Sequence, residues 1–144
     1  MAVAHILRQK GAAVITVRPA DSVQSIVDTL ARHRIGAVVV VDEAGAIAGI
    51  VSERDVVRAM AGDLAGVASR TAGDIMTTKV VTCTPADSEA DLMQMMTESR
   101  IRHLPVVANG RLAGMVSIGD VVKLRIETME AEADQMKSYI ASAG

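Results

Sequence analysis

Aromatic residues are almost missing from this chain: it has no Trp, no Phe and a single Tyr, Tyr139. Val, Ile, Leu, Ala and nine Met must fill the interior, and intrinsic fluorescence will report little. Cysteine is equally scarce. Cys83 stands alone, so no internal disulfide forms, and a reducing cytoplasm is the expected location. An excess of positive charge is missing too. The 15 Lys and Arg face 17 Asp and Glu, and no basic run exceeds two residues. Nucleic-acid binding needs a concentrated cationic face, so no such partner is expected. The longest purely apolar run, Ala37 to Val41, is too short to cross a bilayer. The N-terminus has no charged-then-apolar leader pattern either, so no membrane partner is expected.

What the chain does have is an internal duplication. Pro19 to Arg58 recurs as Pro85 to Lys123, with Pro-Ala-Asp-Ser at one end and Val-Ser-x-x-Asp-Val-Val at the other. Pro19/Pro85, Asp21/Asp87, Arg34/Arg100, Gly49/Gly114, Ser52/Ser117 and Asp55/Asp120 match, with a one-residue gap near Ala44. Such units bury their apolar faces on each other. A repeat of about 60 residues is marginal alone, so one cooperative module with a shared core is expected. We set the first repeat at 7–66, the second at 74–128 and a helical extension at 129–144.

Each copy reads β-α-β-β-α, an α/β (α+β) fold with pseudo-two-fold symmetry. Val14 to Val17 is β-branched and stops at Pro19. Asp21 and Ser22 offer a cap before Val23, Ile26, Val27 and Leu30, the spacing of a helix with one buried stripe. Ile35 to Val41 and Ile47 to Val51 flank a turn, and a helix from Ser52 is expected to carry Val56, Val57 and Met60 inward. In the second copy Val80 to Cys83 reads as a strand, and Ser88 with Asp91 as a capping box before Leu92, Met93 and Met96. Leu104 to Val107 and Leu112 to Val116 pair across Asn109-Gly110, a tight-turn signal. Ala61 to Gly73 reads as a connector. Val122, Ile126, Met129, Ala133, Met136 and Ile140 form a heptad seam, which packs either on its own module or, as we favour, on a second subunit.

Two features carry the chemistry. In Ser52-Glu53-Arg54-Asp55 and Ser117-Ile118-Gly119-Asp120, Ser and Asp are spaced to cap a helix. The same spacing places a carboxylate one turn into a helix whose free N–H groups attract phosphate, with acceptor capacity for both hydroxyls of a ribose. Arg102-His103, ahead of Leu104-Pro105, is either a solvated strand entrance or a phosphate grip. Its first-copy counterparts, Gly36 and Ala37, are small and neutral, so two unequal sites are expected. His5, His33 and His103 lack metal-ligand spacing, and no nucleophile elbow or Walker loop is present. Cys83 aligns with Val17 in an expected strand and reads as a core thiol. Neither a metal nor a catalytic activity is expected.

The double β-α-β-β-α pattern, with Arg-Ile-x-x-Leu-Pro-Val-Val at 100–107, Gly-Arg-Leu-Ala-Gly-Met-Val-Ser at 110–117 and Asp120, resembles the cystathionine β-synthase (CBS) domain. Two in tandem resemble a Bateman module, over roughly residues 7 to 126. The resemblance implies clefts between the repeats for an adenine nucleotide (AMP, ADP or ATP, in some members NAD(H) or S-adenosylmethionine). It implies ribose contacts from Asp55 and Asp120, phosphate contacts from Arg102 and His103, and a flat homodimer. The candidate site residues are thus Ser52, Arg54, Asp55, Arg102, His103, Pro105, Ser117 and Asp120, with an unidentified protein target as a further partner. The first copy departs from the pattern, having Val39 where the second has Pro105 and no basic pair. The rival reading is a dimerisation scaffold with empty clefts.

Overall fold

The computed structural model describes residues 2–143. The chain opens with helix α1 (Ala2–Lys10). The first copy follows as β1 (Thr16–Val17), α2 (Val23–His33), β2 (Ala37–Val41), β3 (Ile47–Ser52) and α3 (Glu53–Gly62). A 3-10 turn at Val67–Ser69 and α4 (Ala72–Ile75) lead to the second copy: α5 (Glu89–Ser99), β4 (His103–Ala108), β5 (Arg111–Ser117) and α6 (Ile118–Ala143). One sheet has the order β1-β2-β3, with β1 parallel and β3 antiparallel to β2. The other is the antiparallel pair β4-β5.

Local chemistry accounts for most boundaries. Ser22 caps α2 by accepting the Ser25 N–H, and Ser88 with Asp91 forms a reciprocal capping box on α5. Both helices end on the arginine shared by the two copies. Arg34 and Arg100 each adopt the left-handed conformation at φ 54°, and their N–H groups return to the last helical carbonyls. The paired Asp21 and Asp87 have a local duty as well, accepting N–H bonds from Arg18 and Thr84 at 2.8 and 2.7 Å. Asn109 and Gly110, at φ 53° and 74°, make the tight β4–β5 turn. The extra residue in the first copy sits in a wider turn, where the Asp42 carboxylate takes the N–H groups of Ala44 and Ala46.

The single shared core expected from the duplication is instead two cores, one per copy, each completed by the segment that leads into the other copy. Val3 and Ile6 of α1 join Leu92, Leu104, Val106 and Val116 in the second core. Val67 and Ala72 join Ile26, Val38 and Val51 in the first. Burying each such aliphatic side chain contributes roughly 1.5–3 kcal/mol before chain entropy is counted. The exchange explains a repeated glycine. A Cβ on Gly49 would stand 2.6 Å from Met76 Sδ, and one on Gly114 2.6 Å from Leu7 Cδ2. Ile50 and Thr77 then exchange N–H bonds of 3.0 and 2.9 Å, fixing the crossing segment to β3.

Four expectations need correction. The strand over Val80 to Cys83 reduces to one paired residue, Cys83 beside Val106. Cys83 alone exchanges ladder bonds with β4, its N–H donating to the Pro105 carbonyl and its carbonyl accepting from the Val107 N–H, while the Val80 N–H turns back onto the Thr78 carbonyl. Val57 and Met60 do not point inward; α3 buries Val56 and Asp55, and the other two lie round the helix in the open. Val27 and Met93, placed on buried stripes, are exposed too. The segment Ala61 to Gly73 is more than a connector, since it carries Val67 and Ala72 into the first core. Along α6 the heptad residues Val122, Ile126, Met129, Met136 and Ile140 are all exposed, so their own module does not cover them. No helix among the described residues is long and apolar enough to cross a membrane.

Candidate functional site at the two helix starts

Asp55 and Asp120 occupy equivalent places, three residues past the serines at the starts of α3 and α6, but their surroundings differ. At Asp55, Oδ2 accepts the Ser52 N–H at 2.8 Å and the Ser52 hydroxyl at 3.0 Å. Its Oδ1 accepts the Thr77 hydroxyl at 3.0 Å. Only 9% of the residue is exposed, so this carboxylate is enclosed with both oxygens engaged. At Asp120, Oδ2 accepts the Ser117 N–H at 2.9 Å and the Lys10 ammonium at 2.8 Å, while the Ser117 hydroxyl accepts the Asp120 N–H. Oδ1 takes no hydrogen bond from any described residue, and 21% of the side chain stays exposed. Burial alone would raise the Asp120 pKa. The Lys10 ammonium and the Ser117 donors outweigh it and hold the carboxyl below its ordinary range.

His103 opens β4 and leans toward the first copy. A Cβ on Gly36 would lie 2.9 Å from His103 Cε1, so the ring fills the space that glycine leaves. The small first-copy counterpart of Arg102 thus has a steric reason. Glu53, Lys10, Asp120 and Arg102 surround the imidazole electrostatically. Burial dominates and lowers its pKa below 6.5; Lys10 and Arg102 act the same way, against Glu53 and Asp120. The folded protein therefore favours neutral His103. The stability this contributes is fully present above the unfolded pKa of about 6.5 and is lost as pH falls toward the folded value. We expect the urea midpoint to drop between about pH 7.5 and 5.5, and His103→Gln to flatten that slope. A midpoint rising over the same interval would contradict the assignment.

Arg102 is exposed and shares a groove of about 380 Å³ with Arg54, Arg100, Met96 and Ile118. Arg54 bridges the copies, its Nη1 donating to the Arg100 carbonyl at 3.2 Å. The Ile118 N–H donates to the Arg102 carbonyl at 2.8 Å, so this groove and Asp120 flank the same helix start. A second groove, about 490 Å³, is lined mainly by aliphatic residues such as Leu30, Ile35 and Val56. Pro105 lies buried inside β4, where its carbonyl accepts the Cys83 N–H at 3.0 Å. Cys83 is a core thiol. Burial, with the Asp87 carboxylate adding, pushes it up to about 12, far from nucleophilic use near neutral pH.

The fold thus brings Arg54 and Arg102 to one groove, and Ser117 and Asp120 to the adjoining helix start. Among the described residues, the side chains of Ser52 and Asp55 bond only to each other's residue and to Thr77. Sequence reasoning missed Thr77 and Lys10, which lie outside the aligned repeats and reach the carboxylates through the exchanged segments. Among the described residues, no three His, Cys, Asp or Glu side chains gather where they could hold a metal ion.

Comparison with known proteins agrees with this architecture. A family model described as the CBS domain matches residues 4–62 and 72–127. A crystal structure of a CBS-domain containing protein from Agrobacterium tumefaciens superposes with a TM-score of 0.83 at 47% identity, covering 85% of this chain and 92% of that one. A mitochondrial CBS domain-containing protein of Arabidopsis thaliana is 40% identical over 124 residues, 83% of this chain but 60% of the relative's length. The CBS domain pair of protein MJ0100, crystallised in complex with 5′-methylthioadenosine and S-adenosyl-L-methionine, is 26% identical with a TM-score of 0.73, covering 81% of this chain and 90% of that one. By its duplicated α/β units and by these matches, the chain belongs to the CBS domain family, as a tandem pair.

Proposed function

We propose that this chain is a non-catalytic regulatory module that binds an adenine nucleotide at the Asp120 cleft and reports it through altered packing of a homodimer or a partner chain. The observation that carries the reading is the inequality of the carboxylates. Asp120 keeps an open oxygen in the first turn of α6, the helix whose first residue, Ile118, lines the groove bearing Arg54 and Arg102, whereas both oxygens of Asp55 are used internally. A ribose diol can donate to such an oxygen, and arginines suit a phosphate. The related MJ0100 pair, with its two adenosine-derived ligands, supports an adenine-containing ligand here. AMP, ATP and NAD(H) are the ligands to try first. A ligand of this kind shifts the module only by its difference in affinity for two packings.

The test is a thermal-denaturation panel with AMP, ATP and NADH. A ligand at a hundredfold excess over its Kd stabilises the native state by about 2.7 kcal/mol. No shift at millimolar concentration, from protein shown free of retained nucleotide, would favour the dimerisation scaffold.

The homodimer has its own support in the apolar residues left uncovered on α3, α5 and α6. Deleting residues 129–144 is expected to weaken self-association or partner binding, because it removes Met136 and Ile140 of the heptad seam. Sedimentation of the shortened and full chains checks this. Unchanged mass together with unchanged partner binding would remove α6 from the reporting route.

A further inference from the structure

Lys10 belongs to neither repeat's aligned core, yet its ammonium bonds Asp120 beside the Ser117 N–H. It stands in the last turn of α1, and Val3 and Ile6 anchor that helix in the second core. Its ammonium reaches Asp120 Oδ2 at 2.8 Å and the Met115 carbonyl at 3.1 Å. The side chain is 39% exposed and the carboxylate 21%, so water screens the pair only in part. At the enclosed Asp55 the Ser52 hydroxyl shares Oδ2 with the Ser52 N–H, and the uncharged Thr77 hydroxyl takes the other oxygen, so no cation touches that carboxylate among the described residues.

We propose that Lys10 selects the ligand of the Asp120 cleft, favouring adenine ligands that carry a phosphate on the ribose over neutral adenine nucleosides. This inference rests on the reading that a ribose diol binds Asp120. A diol that takes up both carboxylate oxygens competes with the ammonium for Oδ2. A neutral nucleoside offers the displaced cation nothing in return, and the loss of the ion pair counts against binding. A nucleotide offers it a phosphate oxygen close to the same sugar, so the cation changes partner without losing one. Lys10 therefore weakens binding of the neutral ligand and strengthens binding of the anionic one. The flexible stem of lysine lets the ammonium follow either anion.

The test is calorimetric titration of AMP and of adenosine into the full chain and into its Lys10→Ala and Lys10→Gln variants. The full chain is expected to prefer AMP by at least tenfold. Both variants are expected to bind AMP about tenfold more weakly and adenosine no more weakly than before, collapsing the preference. Arg8→Ala, the same charge change two residues earlier on α1, should leave the preference intact. An AMP-to-adenosine ratio unmoved by either Lys10 variant would overturn the selection role while leaving nucleotide binding standing. Tighter binding of both ligands by equal factors would show a simple plug and would overturn it too. If the full chain binds neither ligand, the nucleotide reading itself fails, and this inference with it.

Discussion

Asp120→Ala is expected to lower AMP affinity by about a hundredfold while leaving the module folded. The diol would lose two hydrogen bonds to a charged acceptor, each contributing about 1.5 kcal/mol or more, and 1.4 kcal/mol is a factor of ten. The structural loss is smaller. Ser117 keeps its hydroxyl for the start of α6, and removing the reciprocal half of the cap costs about 1 kcal/mol. Lys10 loses its carboxylate but is exposed enough to be hydrated. Titration calorimetry with AMP, run beside a urea denaturation curve, separates the two effects. Near-parent affinity in a folded Asp120→Ala protein would show that the sugar is held elsewhere.

Asp55→Ala should do the reverse. Its carboxylate, itself nearly buried, holds the Ser52 N–H, the Ser52 hydroxyl and the Thr77 hydroxyl. Truncation removes one side of a capping box and leaves the half-buried Ser52 donors without their acceptor, while the exposed Thr77 can turn to water, for a loss of roughly 1–3 kcal/mol. Thr77 also pairs with Ile50, so the damage spreads to the crossing segment that completes the first core. We expect a large fall in the urea midpoint with an unchanged slope, and AMP affinity within a few-fold of the parent under conditions where the variant is folded. A stable Asp55→Ala protein that no longer binds AMP would exchange the roles assigned to the two carboxylates.

The contrast between those variants marks where sequence reasoning reached its limit. The duplicated Ser-x-x-Asp is visible at once, and its capping role follows from spacing alone. The same duplication hides the difference between the copies. What distinguishes Asp55 from Asp120 is the residue delivered by the segment exchanged from outside the repeat, Thr77 in one case and Lys10 in the other. Neither position has a periodic signal, because exchange of lead segments is a tertiary event. Arg34 and Arg100 show the opposite hazard. A repeated arginine invites a chemical role, yet each ends a helix in the left-handed conformation. Val57, Met60, Val27 and Met93 were apolar at helical spacing but lie exposed, since periodicity reports an apolar face without saying which chain covers it. Gly36 shows that an absence can be legible. Its lack of a side chain marked the copies as unequal, and the structure supplies the cause in the His103 ring beside it.

Under the proposed function, the tandem halves present one accessible carboxylate, Asp120, to a sugar, and its twin, Asp55, is given over to holding the fold. Calorimetric stoichiometry with AMP addresses it most directly. The account predicts a single ligand per chain, abolished by Asp120→Ala and retained by folded Asp55→Ala. Two equivalent ligands per chain, or a single one that survives Asp120→Ala, would contradict it.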